Sequence, residues 1–281
     1  ITIMSAGLEK IAGGRLERIL KKMTSNPIKS LVFGAGVTAA VQSSSAVTVM
    51  LVGLVNSGIM KLSQAIGVIM GSNIGTTITA WILSLSGIQS SNFFVRLLKL
   101  AGVVMIMAAK SNKRKNVGAV LIGFAILMFG MEVMTEAMSP LADMPEFTHV
   151  LTAFANPILG VIVGTIVTAV IQSSAASIGI LQALSMVGGM TYGMAIPIVM
   201  GQNIGTCISA VLSSIGVNTN AKRVAAVHVL FNVFGVIICL SAFQLGNAIF
   251  KFSFVTNTIS PFGIAMVHSI FNIVTTVLLF P

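Results

Sequence analysis

Two short clusters of polar residues lie inside long apolar segments, and they are the first candidates for chemistry. The clusters share the order Gln-Ser-Ser and consist of Gln42, Ser43, Ser44 and Ser45 in one segment and Gln172, Ser173 and Ser174 in another. An amide or hydroxyl group that is buried in hydrocarbon without a partner costs roughly 2–7 kcal/mol. We therefore expect these side chains to face protein or a wet cavity, where they hold a ligand.

The position of the serines favours a small oxyanion as that ligand. The flanking apolar runs, residues 28–41 and 46–55, are short for a membrane span, so we expect a re-entrant helical hairpin with a polar turn. The helix leaving the turn is expected to begin near residues 44–46, and its first N–H groups have no acceptor within the helix. These groups and the helix dipole attract anions, and the hydroxyls add donors. The predicted anion ligands are Ser43, Ser44, Ser45, Ser173, Ser174, Asn73 and Asn203.

A second pair of segments offers ligands for an alkali cation. Glycines surround an asparagine in GSNIGTT (residues 71–77) and in GQNIGT (residues 201–206). Such segments predict helices that unwind and expose carbonyl oxygens beside hydroxyl and amide oxygens, a ligand set that suits sodium. The alternative is that the small residues let helices pack closely. The predicted sodium ligands are Gln42, Gln172, Thr76, Thr77, Thr206, Gly71 and Gly201.

The charge balance links the two predicted sites. Neither residues 26–86 nor residues 156–216 contain Asp, Glu or Arg, and the only lysines there are Lys29 and Lys61. An oxyanion at the middle of the membrane would thus meet no fixed positive side chain, and bound cations would have to supply the positive charge. This favours symport, with sodium rather than protons because carboxylates for a proton relay are absent from both segments.

The composition indicates the kind of element that positions these residues. The chain has 281 residues, of which 56% are hydrophobic and only 8% are charged, whereas a soluble domain carries roughly 25% charged residues. We predict an all-α polytopic protein of the inner (plasma) membrane that binds no nucleic acid. Its net charge of +10 is concentrated in a few segments, which fits cytoplasmic loops of a membrane protein.

An internal repeat organises the chain. The segment from Asn26 aligns without a gap with the segment from Asn156, and 26 of 61 positions are identical. Three predicted spans separate equivalent points of the two units, so the second unit enters the membrane from the opposite face. The fold class that we predict is therefore an inverted repeat with two re-entrant helical hairpins and two broken transmembrane helices.

The repeat divides the chain into two units. The first unit, residues 1–110, is predicted to contain an interfacial amphipathic helix at 8–23, a hairpin at 28–57, a broken helix at 62–86 and a helix at 95–109. The second unit, residues 111–281, is predicted to contain a helix at 117–138, a hairpin at 157–187, a broken helix at 191–215 and helices at 222–246 and 262–280. The equivalent of helix 117–138 is expected before residue 1.

The charged residues outside the two repeat cores (residues 26–86 and 156–216) predict the orientation of the chain in the membrane. The basic segments at residues 10–29, 110–115 and 222–223 are expected in the cytoplasm, and the acidic segment at 136–146 outside. Arg96, Lys99 and Lys251 lie on the wrong side in this arrangement.

The paired motifs resemble the type II sodium–phosphate cotransporter family over nearly the whole chain. The resemblance implies sodium-coupled uptake of inorganic phosphate by alternating access, with sodium and phosphate as ligands, no other cofactor and no enzymatic activity. Family members usually carry a third serine where this chain has Ala175, and Cys207 stands where the first repeat has Thr77. Each change would remove one ligand oxygen from the second half. A homodimer is left open.

Other functions are weighed against this one. Sodium-coupled transport of another anion, such as sulfate or a dicarboxylate, would use similar hairpins, and a passive anion channel would not depend on sodium. An intramembrane hydrolase would pair a serine with His228 or His268, but neither repeat core has a carboxylate to orient a histidine. The two histidines, each in an H-x-x-F-N segment, are expected to form hydrogen bonds between helices or to serve proton coupling.

Overall fold

The computed structural model describes residues 24, 26–87, 91–142, 144 and 154–280, and these residues form eleven α-helices without a β-strand. The helices of the first unit are α1 (Pro27–Val41), α2 (Ser44–Asn56), α3 (Leu62–Ser84) and α4 (Ser91–Ala108). Those of the second are α5 (Asn112–Ala142), α6 (Pro157–Ile171), α7 (Ser174–Val187), α8 (Tyr192–Thr206), α9 (Ile208–Ser213), α10 (Thr219–Phe250) and α11 (Pro261–Leu279).

Five of the described segments have the length and composition of membrane spans. They are Leu62–Ser84, Asn112–Pro140, Tyr192–Ser213, Thr219–Phe250 and Pro261–Leu279. Their apolar faces cannot all be buried inside one chain of this size, and many large apolar side chains remain exposed. Such a surface is the one that a bilayer solvates, which confirms the all-α polytopic membrane fold.

Both predicted hairpins are present as two short helices joined by a polar turn. The first hairpin comprises α1 and α2 (residues 27–56), and the second comprises α6 and α7 with the predicted bounds, 157–187. Asn26 and Asn156 cap α1 and α6 through their side chains, and a proline follows each cap. Asparagine accepts from free N–H groups at this position, and proline fits the first helical turn because it has no N–H.

The first helix of each hairpin runs parallel to the predicted broken helix of its own unit. Along α1 and α3, Ser30 lies against Gly67, and Thr38 lies against both Ser72 and Gly75. The same arrangement recurs 130 residues later between α6 and α8, where Gly205 lies against Thr168. The repeat seen in the sequence is therefore also a repeat of tertiary contacts.

The predicted break in the first of these helices is wrong. Helix α3 is continuous from Leu62 to Ser84, through the whole GSNIGTT segment. Its glycines serve close packing instead: a Cβ atom on Gly75 would lie 2.5 Å from the Ala35 carbonyl oxygen, and one on Gly71 would collide with the Leu31 carbonyl group. The alternative of helix packing through small residues describes this segment correctly.

The second predicted break is present but lies beyond the GQNIGT segment. That segment is helical up to Thr206, and the interruption falls at Cys207, between α8 and α9. The Cys207 amide donates to the carbonyl oxygen of Ile204, three residues earlier. This 3₁₀-type hydrogen bond tightens the last turn of α8. The helix is thus interrupted at one residue, whose backbone angles are still helical, and is not unwound over several.

The two units interlock through the second helix of each hairpin. Helix α2 packs against α9 and α10 of the second unit, and α7 packs against α3 of the first. Val52 and Leu51 of α2 share one buried cluster with Val224 of α10, whereas Ile178 of α7 and Leu83 of α3 share another. Each hairpin is therefore held by both halves of the molecule.

Several predicted bounds differ from the observed ones at the helix ends. Helices α4, α5 and α10 extend beyond the predicted 95–109, 117–138 and 222–246 in at least one direction. The terminal helix lies one residue earlier than 262–280. Glu136 lies inside α5, so the acidic loop cannot begin there. The interfacial helix at 8–23 and the helix expected before residue 1 lie outside the described residues.

Candidate functional site

The tip of the first hairpin is built around Gln42, which terminates α1 in the left-handed conformation at φ 58°. Its side chain closes the turn, because Nε2 donates to Ala39 O and Oε1 accepts from Thr79 Oγ1 at 2.9 Å. Gln42 is 5% exposed. The tip is therefore fixed against α3 by a side-chain contact between two different elements.

The serines that follow place free hydrogen-bond donors at the start of α2. Ser43 is the N-cap, and its Oγ accepts from the Ala46 amide at 3.2 Å. Ser44 begins the helix, within the predicted range of residues 44–46, is 3% exposed, and its Oγ has no hydrogen-bond partner among the described residues. The amides of Ser44 and Ser45 have no acceptor inside the helix, as at any helix N-terminus. Donors of this kind at a helix N-terminus are the groups that an anion would bind.

Ser45 links this tip to the other half of the molecule. Its Oγ accepts from Ser209 Oγ at 3.3 Å, and Ser209 lies in α9, just beyond the interruption at Cys207. The residue of the first unit that corresponds to Ser209 is Thr79, which contacts Gln42. Sequence reasoning missed both residues, although their hydroxyls at equivalent repeat positions were a usable signal.

The tip of the second hairpin has the same backbone geometry as the first tip but lies in a different environment. Gln172 is again left-handed, at φ 55°, and Ser173 again caps the next helix by accepting from the Ala176 amide at 3.2 Å. Gln172, however, is exposed, and Ser173 and Ser174 are half-buried. Ala175 stands where the first repeat has Ser45, so it cannot form the contact that Ser45 forms with Ser209.

Within α3, the predicted ligands lie on a buried stretch of helix. Asn73 is 3% exposed, and none of the described residues forms a hydrogen bond with its Nδ2. Thr76 donates to Ser72 O and Thr77 to Ile74 O, both inside the helix. The threonine oxygens keep lone pairs for a cation, and the Asn73 amide keeps donors for an anion.

Helix α8 presents the corresponding groups of the second unit. The Gln202 side chain donates to Ser177 O at 3.0 Å and keeps an unpartnered Oε1. Asn203 Oδ1 lies 3.4 Å from His268 Nε2 of α11. Thr206 donates to Gln202 O. The predicted hydrogen bond between helices is confirmed for His268.

The free carbonyl groups expected at Gly71 and Gly201 are absent. Gly71 lies in the interior of continuous α3, and the Gly201 carbonyl accepts from Thr165 Oγ1 of α6 at 3.1 Å. Both glycines are sites of close approach by the neighbouring hairpin helix. The roles of Gln42, Gln172, Thr76, Thr77 and Thr206 as sodium ligands stay predictions, and they now rest on side-chain oxygens alone.

Two matching pairs of buried residues lie beside α8. His228 and Asn232 in α10 repeat the spacing of His268 and Asn272 in α11, and all four are at most 2% exposed. Each asparagine donates to the carbonyl oxygen of its histidine and leaves its own Oδ1 without a partner. Each histidine leaves Nδ1 without one. Buried polar atoms of this kind are commonly satisfied by water or an ion.

The two hairpins meet on one turn of α3. The first contacts Thr79 through Gln42, and the second contacts Ala80 O through Gln182 Nε2, at 3.0 Å. Gln182 lies two helical turns beyond Ser174, so the second tip is about 12 Å along α7 from this contact. The structure thus brings the hairpins together while leaving the two serine tips in different surroundings.

Comparison with known proteins assigns a family to this architecture. The model of the family described as Na+/Pi-cotransporter matches residues 1–136 and again residues 126–263. These two matches correspond to the two repeat units. No solved structure matches the chain significantly.

The chain is also similar to individual proteins. It is 29% identical to "Uncharacterized protein YqeW" of Bacillus subtilis, over 85% of this chain and 77% of that protein. It is 26% identical to "Putative inorganic phosphate export protein YjbB" of Escherichia coli, over 85% of this chain but 43% of that protein. It is 42% identical to sodium-dependent phosphate transport protein 2A of Rattus norvegicus, over 30% of this chain and 14% of that protein. With its two matched units, the chain belongs to the Na+/Pi-cotransporter family.

Proposed function

We propose that this protein moves inorganic phosphate across the inner membrane together with sodium, by alternating access around the two hairpin tips. The main observation behind this proposal is the Ser44 hydroxyl, which is buried at the start of α2 and has no hydrogen-bond partner in the part of the chain that the structure describes. Beside it, the repeat cores contain no acidic or arginine side chain. Phosphate supplies many acceptor oxygens for these donors, and sodium supplies the positive charge that the side chains lack.

In this proposal phosphate and sodium are held by different kinds of protein group. Phosphate is held by the serine hydroxyls Ser43, Ser44, Ser45, Ser173 and Ser174 and by the amide donors of Asn73 and Asn203. Sodium is held by side-chain oxygens of Gln42, Gln172, Thr76, Thr77 and Thr206. The inverted arrangement of the two units lets one face open as the other closes. No step requires an enzyme reaction or a further cofactor.

The direction of transport is a separate question. The rat relative is named as a sodium-dependent transport protein and the Escherichia coli relative as an export protein. An inward sodium gradient would drive uptake through a symporter, so uptake is the direction that we propose. Export is the second candidate, and the name of the Escherichia coli relative favours it.

Proteoliposomes test the proposal directly. Radiolabelled phosphate is measured with an inward sodium gradient, with equal sodium on both sides, and with choline in place of sodium. We expect accumulation only with the gradient, and competition by unlabelled phosphate but not by sulfate or succinate. Equal flux in choline would indicate a passive channel, and release of preloaded phosphate without matching uptake would indicate an exporter.

A further inference from the structure

An apolar crevice lies between α10 and α11, apart from the two hairpin tips. Its volume is about 650 Å³. The buried side chains of Ile196 and Met200 in α8 form its floor, and Cys239 and Phe243 line it on α10. None of the described residues that line it is charged. The crevice therefore suits an apolar ligand, and a few polar groups can fix the position of such a ligand.

The second wall gives the crevice its length. On α11 it is lined at every fourth position, by Met266, Ile270, Val274 and Leu278. Residues at this spacing share one face of a helix, and these four extend over about 18 Å. Their side chains are 40–56% exposed. The crevice is thus a long channel that is open along its side to the surroundings of the protein.

One end of the crevice is closed and polar. Phe254 and Asn257, in the segment that joins α10 to α11, cover this end together with Tyr192 of α8. The rings of Tyr192 and Phe254 pack edge to face at 5.7 Å, and the Tyr192 amide donates to Asn257 O at 3.1 Å. The Tyr192 hydroxyl and the Asn257 side-chain amide form no hydrogen bond with the described residues. Both groups are available to a ligand.

The closed end lies at a membrane surface. The segment at residues 251–260 joins two consecutive helices that both have the length and composition of spans. In a bilayer the ester groups of the lipids lie at the boundary of the hydrocarbon, and the acyl chains run inward from it. The crevice has the same direction, from Tyr192 and Asn257 along α11. Its length is comparable to one leaflet, which is half of a hydrocarbon core of about 30 Å.

We propose that this crevice binds one acyl chain of a membrane glycerophospholipid. The ester carbonyl of that chain accepts hydrogen bonds from the Tyr192 hydroxyl and from Asn257 Nδ2, and the chain packs between α10 and α11 against Met200. This binding site is separate from the proposed transport site and does not depend on the proposed function.

The lining favours an esterified chain over a free fatty acid. A carboxylate would need a positive partner in an apolar crevice, and none of the described lining residues supplies one. An ester carbonyl is a neutral acceptor, and it matches the neutral donors of a phenol and an amide. The polar end thus selects the linkage, whereas the apolar walls hold the chain.

Photocrosslinking in proteoliposomes tests the proposal. The purified chain is reconstituted with a phosphatidylethanolamine that carries a diazirine on one acyl chain, and peptide mass spectrometry locates the label after illumination. We expect label on the lining residues of α10 and α11 to exceed severalfold that on exposed apolar residues outside the crevice, such as Leu230 and Val277. A free fatty acid with the same diazirine, used in parallel, should label the crevice less.

Matched variants separate the crevice from general lipid contact. Val274→Trp fills the crevice and should abolish the excess label on α10. Val277→Trp is the control, because it adds the same bulk to α11 at a side chain that is 71% exposed and does not line the crevice. The double variant Tyr192→Phe, Asn257→Leu keeps the apolar walls and should lower labelling by the phospholipid about tenfold, since two hydrogen bonds are lost. Circular dichroism verifies the fold of each variant.

Two outcomes would overturn the proposal. Label spread evenly over the exposed apolar residues, and unchanged in Val274→Trp, would show that lipid covers this surface without a defined site. Equal labelling by the free fatty acid and the phospholipid, with no effect of the Tyr192 and Asn257 changes, would show that the closed end does not recognise an ester.

Discussion

At the scale of single residues, the first hairpin tip separates groups that hold the fold from a group that is free for a ligand. Gln42 and Ser43 are used internally, the former by Thr79 and the latter by the Ala46 amide. Ser44 Oγ is buried but makes no hydrogen bond with any described residue. A hydroxyl group that the fold does not use in this way is available to a ligand.

This separation leads to a prediction for Ser44→Ala. The change removes no internal hydrogen bond, so the unfolding temperature should stay the same or rise slightly. A hydrogen bond to a charged ligand contributes about 1.5–3 kcal/mol, so phosphate binding should weaken about tenfold or more. Isothermal titration with phosphate in sodium buffer, paired with thermal unfolding, measures both quantities.

The control for this variant is Ser84→Ala. Ser84 is buried in α3, and its Oγ donates to Trp81 O inside the helix, so phosphate affinity should be unchanged. Ser174→Ala, at the equivalent position of the second tip, should likewise weaken phosphate binding, and both variants should lose phosphate uptake. Normal uptake by both Ser44→Ala and Ser174→Ala would show that these hydroxyls do not contact the substrate.

At the scale of elements, parallel packing of α1 on α3 and of α6 on α8 is made possible by glycines. Gly71 and Gly75 let the backbone of α1 approach α3 closely, and Gly201 and Gly205 do the same for α6 and α8. The same residues look like helix breakers in the sequence. Whether such a glycine breaks its helix depends on its neighbours in the fold. Here a facing helix fills the space that a side chain would occupy.

A pair of alanine substitutions tests this role. In Gly71→Ala the new methyl group meets the Leu31 carbonyl group, and overpacking of this kind typically costs about 1–3 kcal/mol. Gly36→Ala is the control, because Gly36 lies in α1 with no atom within 4 Å of an added Cβ. The control should be neutral or slightly stabilising, since alanine favours helix over glycine by about 1 kcal/mol.

Thermal unfolding of the detergent-solubilised protein, followed by circular dichroism, measures the difference. We expect a lower unfolding temperature for Gly71→Ala than for Gly36→Ala. Equal temperatures would mean that α1 is not held against α3 at this glycine, and the packing of the first unit would then need another explanation.

At the scale of the whole molecule, two similar halves occupy different environments. Gln42 is buried against α3, whereas the equivalent Gln172 is exposed. Thr79 binds the glutamine of its own half, whereas the equivalent Ser209 binds Ser45 of the other half. The proposed alternating access would explain this asymmetry, because in that mechanism the two halves exchange environments between states.

The asymmetry predicts different chemical accessibility. Both variants are made in a chain in which Cys207 and Cys239 are replaced by alanine. A polar maleimide should label the Gln172→Cys variant, and in the same reaction time it should leave the Gln42→Cys variant unmodified. The shift in mass on intact-protein mass spectrometry reports the labelled fraction. Similar labelling rates at the two positions would contradict the asymmetry.

Coupling between phosphate binding and sodium binding is also a property of the whole molecule. If sodium supplies the charge that phosphate requires, each ligand must raise the affinity for the other by the same factor. Phosphate titrations at increasing sodium, and sodium titrations at increasing phosphate, should give equal factors of about 5–150, the usual range for coupled sites. Phosphate affinity that is the same in sodium and in choline would remove the basis for symport.

The sequence by itself determined the features that depend on residues close together in the chain. The membrane class followed from composition, and the hairpin tips followed from Asn-Pro and Gln-Ser-Ser, because caps and turns are decided by neighbouring residues. The 130-residue repeat revealed that both halves are built alike. Tertiary structure alone decided that α3 stays continuous, that the second helix is interrupted at Cys207, and which tip is buried. These outcomes depend on contacts between α1 and α3, between α2 and α9, and between α7 and α3, and a local pattern does not specify such distant partners.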